Sequence, residues 1–440
     1  MGSAEHADPG ETMSSSTIHI GLDIGTTKVC CVVASVETLS NRIDIIGKGV
    51  AECEGIRRGV VTNIQKTADA IRKAVDAAQQ QSGVPIERVV IGIAGDHVQS
   101  FTTRGLVTVS SATREISARD VERLLEDVRR VQIGSDRRIL HMIPQDYIID
   151  GQDGIIDPVG MSGIRLEANV LIITGGVTAI ENMYRCAERA GLEVDEIVLQ
   201  PLASSYAVLD EAEREVGVAL IDIGGGTTDI AIFKDGVLRF TSIFAIAGQK
   251  VTDDIMTVLG IRNVEAERIK LNYGHAMAES IMRDETFQVP GIGGRTPTEV
   301  KKSVLCQIIE PRMEEIFEFA LQEIHQSKLA PQLAAGIVIT GGCSLVRGAE
   351  QLAARTFRMP VKIGIPAGFS MDGMAREVSN PQFATAVGLV HYAMHRAARA
   401  PIVDDVVAEE PQQTAAPDLP VERPQKKGLF DRVKSFFEEL

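Results

Sequence analysis

The chain has no tryptophan, and aromatic residues make up only 4% of it. That scarcity argues against carbohydrate stacking and against single-strand nucleic-acid platforms, both of which need aromatic faces. There is no basic block, and the net charge is −15, so no nucleic-acid partner is expected. The six cysteines are Cys30, Cys31, Cys53, Cys186, Cys306 and Cys343, and no pair has C-x-x-C spacing. A zinc site or a dithiol redox motif is therefore not expected. Cys30 and Cys31 fall in an apolar run and read as buried thiols of a reducing cytoplasm. No run of roughly 18 or more residues is uniformly apolar, so no membrane span is expected. The opening MGSAEHADPGETMSSST is polar and acidic and lacks the apolar core of a signal peptide.

What is present is a chain of 440 residues, 44% hydrophobic, which is too long for one core and implies at least two domains. Residues 1–16 read as disordered. The segment IHIGLDIGTTKVCCVVASVE then reads as strand, glycine turn, strand, with a third strand near Arg42–Glu52 and a helix over roughly Thr62–Gln81. The same plan returns two hundred residues later in GVALIDIGGGTTDIAIFKDGVLRF, where Asp235-Gly236 makes a hairpin turn into a third strand and a helix follows from about Gly248. Both copies place Asp-Ile-Gly at the end of the first strand and Thr-Thr after the glycine. This internal duplication predicts two similar α/β domains facing each other. Between the copies, strand-like segments and an amphipathic helix near Ser117–Val131, capped by Ser117, predict an α+β insertion over 84–166. A second, mostly helical insertion covers 244–335. The α/β pattern resumes at AGIVITGG and ends with a helix near Pro381–Ala397.

The two glycine turns carry chemistry. Gly25, Thr26, Thr27 and Lys28 form one, and Gly224, Gly225, Gly226, Thr227 and Thr228 the other. Glycine lets backbone amides approach a polyphosphate closely, threonine hydroxyls add donors, and Lys28 adds a charge. Asp23 and Asp222 cannot be phosphate ligands; they suit carboxylates that hold a hydrated Mg²⁺ between the turns. One such turn alone would be an ordinary hairpin, but two with an acidic residue at the same offset point to a site. In VITGGCSLVRG a strand enters Gly341-Gly342, where a flat base could lie against the backbone near Cys343; alone it is an ordinary strand-to-helix turn.

The order DIGTTK, DIGGGTTD, TGG resembles the actin, heat-shock-chaperone and sugar-kinase ATPase superfamily. The resemblance implies an α/β, actin-like fold: two facing ribonuclease-H-type domains with ATP and Mg in the cleft. It makes the two turns phosphate motifs and TGGCSLVRG the adenosine motif. Glu267 and Lys270 in AERIKLNYG match a pair used on ribose and adenine, although Glu-x-x-Lys is common on any solvated helix face. Gln200, opening QPLASSYAVL, matches the residue that positions attacking water in actins, and could equally be an ordinary helix-start residue. Within the superfamily, RILHMIPQDYIIDGQDGIIDPVGMSGIRLEANV (Arg138–Val170) resembles the FtsA family of bacterial cell-division proteins, and the match runs from Ile18 to about His395.

That resemblance implies subdomain 1A at 17–83 and 167–199, subdomain 1C at 84–166, subdomain 2A at 200–243 and 336–397, and subdomain 2B at 244–335. It implies an ATP-binding protein with at most weak ATPase activity that self-associates into filaments and tethers FtsZ to the inner face of the cytoplasmic membrane. The FtsZ C-terminal peptide would bind subdomain 2B, where the loop VPGIGGRTP offers Arg295, and later division proteins would bind 84–166.

Residues 398–427 are rich in Pro, Gln, Ala and acidic residues and read as a flexible linker, whose reach as a coil is roughly 30 Å. At 428–440, Leu429, Phe430, Val433, Phe436, Phe437 and Leu440 share one helical face. Such a helix could dock on protein; the long linker favours an interfacial membrane helix, which the FtsA family also carries. Rival readings are a small-molecule kinase, for which no additional base is evident beyond Asp96 or Asp157 in the insertion, and an actin-like type IV pilus component, against which the tail speaks. A chaperone ATPase would need a peptide-binding domain for which there is no room.

Overall fold

The computed structural model describes residues 16–37, 40, 42–281, 283–291, 293 and 296–398. The duplication predicted from the repeated motif is visible in the sheets. The first lobe has five strands in the order Glu193–Leu199, Arg88–Ile93, Ser16–Ile24, Lys28–Glu37, Ile43–Glu52. The second has Val361–Ile363, Ile337–Thr340, Val218–Ile223, Thr228–Lys234, Val237–Phe244 in the equivalent order. In each, the three strands around the glycine turn are antiparallel, and the two later strands join in parallel. Parallel strands are covered on both faces and read as continuous apolar runs, as Val89–Ile93 and Ile337–Thr340 do.

That same property moves a domain boundary. The sequence reading placed Arg88–Ile93 inside the insertion at 84–166, but this strand pairs with Ser16–Ile24 in the first lobe (Gly21 opposite Val90, Leu22 opposite Ile91). The insertion's own sheet has the order Gln99–Thr108, Arg165–Gly176, Arg137–Ile149, Gln152–Ile155. Its last long strand therefore runs ten residues past the boundary read from sequence. Helix Ala118–Arg129 covers one face, burying Leu124 and Val128 against Leu166, Ala168, Val170 and Ile172. Ser117 caps it in a reciprocal box: its side chain accepts the Asp120 amide, and the Asp120 carboxylate accepts the Ser117 amide.

The second insertion contains helices Gly248–Leu259, Asn263–Tyr273 and Lys302–Gln326, plus a two-stranded hairpin, Thr286–Val289 with Thr298–Lys301. The VPGIGGRTP loop joins those two strands. Arg295 lies outside the described residues, as do Leu429, Phe430, Val433, Phe436, Phe437 and Leu440 of the tail. After Ile337–Thr340 the chain does not enter a helix at once. Gly342–Leu345 is a 3₁₀ turn, and helix Ala349–Phe357 starts behind Gly348 in the left-handed region (φ 79°).

Two helices close the base of the cleft. Gln200–Val208 and Ala384–Ala398 pack on each other so tightly that a Cβ on Gly388 would stand 2.0 Å from the Ala203 carbonyl oxygen. Among the described residues no helix is long and apolar enough to cross a membrane.

Candidate nucleotide site

Each glycine turn is closed in the same way. The Gly25 amide donates to the Lys28 carbonyl at 2.9 Å, and the Gly224 amide donates to the Thr227 carbonyl at 3.0 Å. The turns meet tip to tip: a Cβ on Gly225 would lie 2.5 Å from Thr27 Cγ2, and one on Gly226 would lie 2.3 Å from Thr26 Oγ1. Side chains at those positions would push the lobes apart, which explains a glycine triplet where a hairpin needs fewer. The amides of Thr26, Thr27, Gly225 and Gly226 have no protein acceptor among the described residues, so they remain free to meet an anion.

Around the turns is a cleft lined by Asp23, Gln200, Asp222, Asp229, Gly341 and Gly342, among others. Gly341 has φ 85°, and a Cβ there would lie 2.4 Å from Asp222 Oδ1, so only glycine fits. Asp23 accepts the Gln200 side-chain amide at 3.0 Å. Asp222 accepts Ser204 at 2.8 Å and Thr385 at 3.4 Å, from the two helices at the base. Asp229 faces Asp222 directly across the hairpin, and its Oδ1 is buried without a hydrogen-bond partner.

The three carboxyls are 8%, 7% and 4% exposed. Burial pushes Asp23 up to about 7, with Lys28 opposing the rise and Asp222 adding to it. Burial likewise raises Asp222, opposed by the Ser204 and Thr385 hydroxyls and by Lys28. Asp229 is pushed well above its ordinary range by burial and by Asp222 beside it. Lys28 is not free to neutralise all three: its ammonium donates to the Gln382 carbonyl and stands 4.7 Å from the Phe383 ring centre.

Three buried acids, one with an orphaned oxygen, form a hard, all-oxygen environment that fits a hydrated divalent cation. Among the described residues no three acidic, histidine or cysteine side chains converge closely enough to coordinate a metal directly.

Beyond the Gly224 edge is a second group of the residues picked from sequence. Lys270, 9% exposed, pairs with Glu267 at 2.8 Å and donates to Thr252 at 2.9 Å and to the Gly248 carbonyl at 3.1 Å. The Gly248 amide in turn donates to the Gly224 carbonyl at 3.1 Å, tying this group to the second turn. Cys343 is buried against Met313, with its sulfur 3.3 Å from where a Gly248 Cβ would stand. Thr228 differs from the expectation: it is fully buried in its strand and its hydroxyl donates to the Ile246 carbonyl at 2.7 Å, away from the cleft. Asp229, Ser204 and Thr385 were not singled out from sequence. The hairpin register contained a signal for Asp229, because a turn that aligns Ile223 with Thr228 puts residue 229 opposite Asp222.

Comparison with known proteins agrees with this geometry. A family model described as cell division protein FtsA matches residues 219–388. Another, described as the SHS2 domain inserted in FtsA, matches residues 95–174, in keeping with the boundary set by the sheets. The chain is 43% identical over 385 residues to the cell division protein FtsA of Pseudomonas aeruginosa, covering 88% of this chain and 91% of that one. The structure of a PilM–PilN type IV pilus biogenesis complex has a similar fold (TM-score 0.62, 15% identity, 86% of this chain and 98% of that one). So does MreB5 of Spiroplasma citri bound to ADP (TM-score 0.53, 15% identity, 87% of this chain and 99% of that one).

Proposed function

This chain belongs to the FtsA family of bacterial cell-division proteins, and from that premise we propose that it is an ATP-binding, actin-like tether that fastens FtsZ polymers to the inner face of the cytoplasmic membrane. The observation that carries the reading is the pair of mirrored turns with three buried aspartates between them. ATP would lie with its phosphates against the amides of Thr26, Thr27, Gly225 and Gly226. Asp23 and Asp222, with Asp229 behind, would hold hydrated Mg²⁺, which supplies charge neutralisation for the phosphates. The adenosine end would run past Gly341, Gly342 and Cys343 toward Glu267 and Lys270. The similarly folded MreB5 holds ADP, in line with this assignment.

Gln200 lines the cleft and would orient a water there. Its side-chain amide donates to Asp23 at 3.0 Å. Turnover is proposed to be weak, as the family resemblance implies, with nucleotide acting to set shape and self-association into filaments. The 244–335 insertion, with Arg295 in its hairpin loop, is proposed to receive the FtsZ C-terminal peptide, and the SHS2 insertion later division proteins. The apolar face of 428–440 is proposed to enter the lipid interface. A single short helix binds weakly, and many copies on one polymer multiply the effect.

Co-sedimentation with anionic vesicles tests the tether, using the full chain and a chain ending at Gln425, each with ATP and FtsZ. The expected result is that the full chain carries FtsZ down with the vesicles and the shortened chain leaves both in solution. Equal behaviour of the two chains would contradict the assignment of the tail.

A further inference from the structure

Strand Arg137–Ile149 of the SHS2 insertion is fastened on both sides of the cleft. On the first-lobe side, buried His141 accepts the Leu199 amide at its Nε2, 3.0 Å away. Leu199 precedes helix Gln200–Val208, whose first side chain donates to Asp23 at 3.0 Å. The imidazole meets the edge of Tyr392, with ring centres 6.3 Å apart, and the Tyr392 hydroxyl donates to Glu196 at 2.9 Å. Burial lowers His141 to about 4, so the ring is neutral and Nε2 stays an acceptor at neutral pH. On the second-lobe side, the Gln145 side chain donates to the Leu238 carbonyl at 2.9 Å, and the Gln145 main-chain carbonyl accepts the Arg239 guanidinium at 2.8 Å. Ser100, on strand Gln99–Thr108 of the same sheet, donates to the Thr241 carbonyl at 3.0 Å.

We propose that His141 is a positioning residue for Gln200, and that through it the SHS2 insertion and the nucleotide cleft are mechanically coupled. The first amides of a helix have no partner within it. By capturing the amide just before the helix, His141 fixes where the helix begins and so where Gln200 meets Asp23. A ligand that draws Asp23 or Gln200 toward itself pulls on that amide and on strand Arg137–Ile149. Gln145, four residues further along, keeps the strand attached to the second lobe, so closure of the lobes loads it from both ends. Coupling of this kind is reciprocal: whatever immobilises the insertion also biases the cleft. The inference rests on the reading that the cleft takes a magnesium nucleotide.

The test uses full-length wild type, His141→Leu and His141→Gln, with Mg²⁺ and ADP as the probe, read by hydrogen exchange and by equilibrium titration. In wild type, ADP is expected to change exchange in 137–149 as well as in 23–28. His141→Leu removes the acceptor; exchange across 196–202 should quicken about tenfold and ADP affinity fall about tenfold. The response of 137–149 to ADP should disappear, while Ile337–Thr340 keeps its protection. His141→Gln retains an acceptor and should recover at least part of each effect. If His141→Leu lowers only the thermal midpoint and leaves both the exchange at 196–202 and the ADP response intact, the role is merely structural and the proposal is wrong. If wild type binds no ADP, the nucleotide reading fails separately; the positioning claim is then decided by ligand-free exchange at 196–202, and an unchanged rate in His141→Leu overturns it.

Discussion

Replacing Asp23 with asparagine will make the ligand-free protein more stable at pH 8 while sharply weakening its hold on magnesium nucleotide. The carboxyl is buried, and its folded-state value of about 7 stands above the ordinary 3.8. An acid whose folded value is raised stabilises the fold when protonated. That contribution is complete below about pH 4 and is lost as pH rises through about 7. The interval from 3.8 to about 7 corresponds to roughly 4 kcal/mol, the most that asparagine can recover above pH 8. The amide keeps an oxygen for Gln200, so the local geometry survives. Denaturant unfolding at pH 4 and pH 8 separates the cases: the gain should be small at pH 4 and large at pH 8. A bound dication reverses the sign by favouring the carboxylates, so stabilisation by Mg²⁺ and ATP should grow with pH in wild type and be nearly absent in Asp23→Asn. A variant no more stable than wild type at pH 8 would show that Asp23 is not the strained acid described here.

The second large effect is expected at Gly388. In an exposed helix, glycine to alanine gains about 1 kcal/mol from helix propensity alone. Here a Cβ would stand 2.0 Å from the Ala203 carbonyl oxygen and 2.4 Å from its carbon. Those are backbone atoms of the facing helix, which cannot rotate aside as a side chain would. Overpacking of this kind costs about 1–3 kcal/mol, sometimes more, so steric cost outweighs propensity and Gly388→Ala should lower stability. The effect should not stay local. Ser204 and Thr385, from the two helices, both donate to Asp222 and lie 3.0 Å from each other. Forcing the helices apart separates these hydroxyls, and nucleotide affinity should fall together with the unfolding midpoint. A gain in stability of the size usual for glycine to alanine in a helix would show that the helices are not in close contact at this point.

Much of this architecture was legible in the sequence because the protein repeats itself. Asp-Ile-Gly followed by Thr-Thr occurs twice with the same strand pattern around it, and the two sheets share one strand order. Strand Arg88–Ile93 was misplaced because its buried run, Val89–Ile93, is uniformly apolar and carries no mark of which sheet it joins. Ser204 and Thr385 escaped notice because a hydroxyl on a buried helix becomes meaningful only once the other helix is known to lie against it. Lys28 was read as a charge for phosphate; its partner is a main-chain carbonyl 354 residues away, which no side-chain pattern reveals. Thr228 follows the motif in sequence, but strand alternation turns its hydroxyl into the protein.

The central claim is that the mirrored turns and their aspartates form a magnesium-dependent nucleotide site, and calorimetric titration of the full-length chain with ATP tests it most directly. The account predicts one ATP per chain in Mg²⁺, with at least a tenfold loss of affinity in EDTA, since removing the cation leaves phosphates facing three buried acids, a mismatch worth about 1.4 kcal/mol or more. Absence of binding in Mg²⁺, or binding of equal strength without it, would contradict the account.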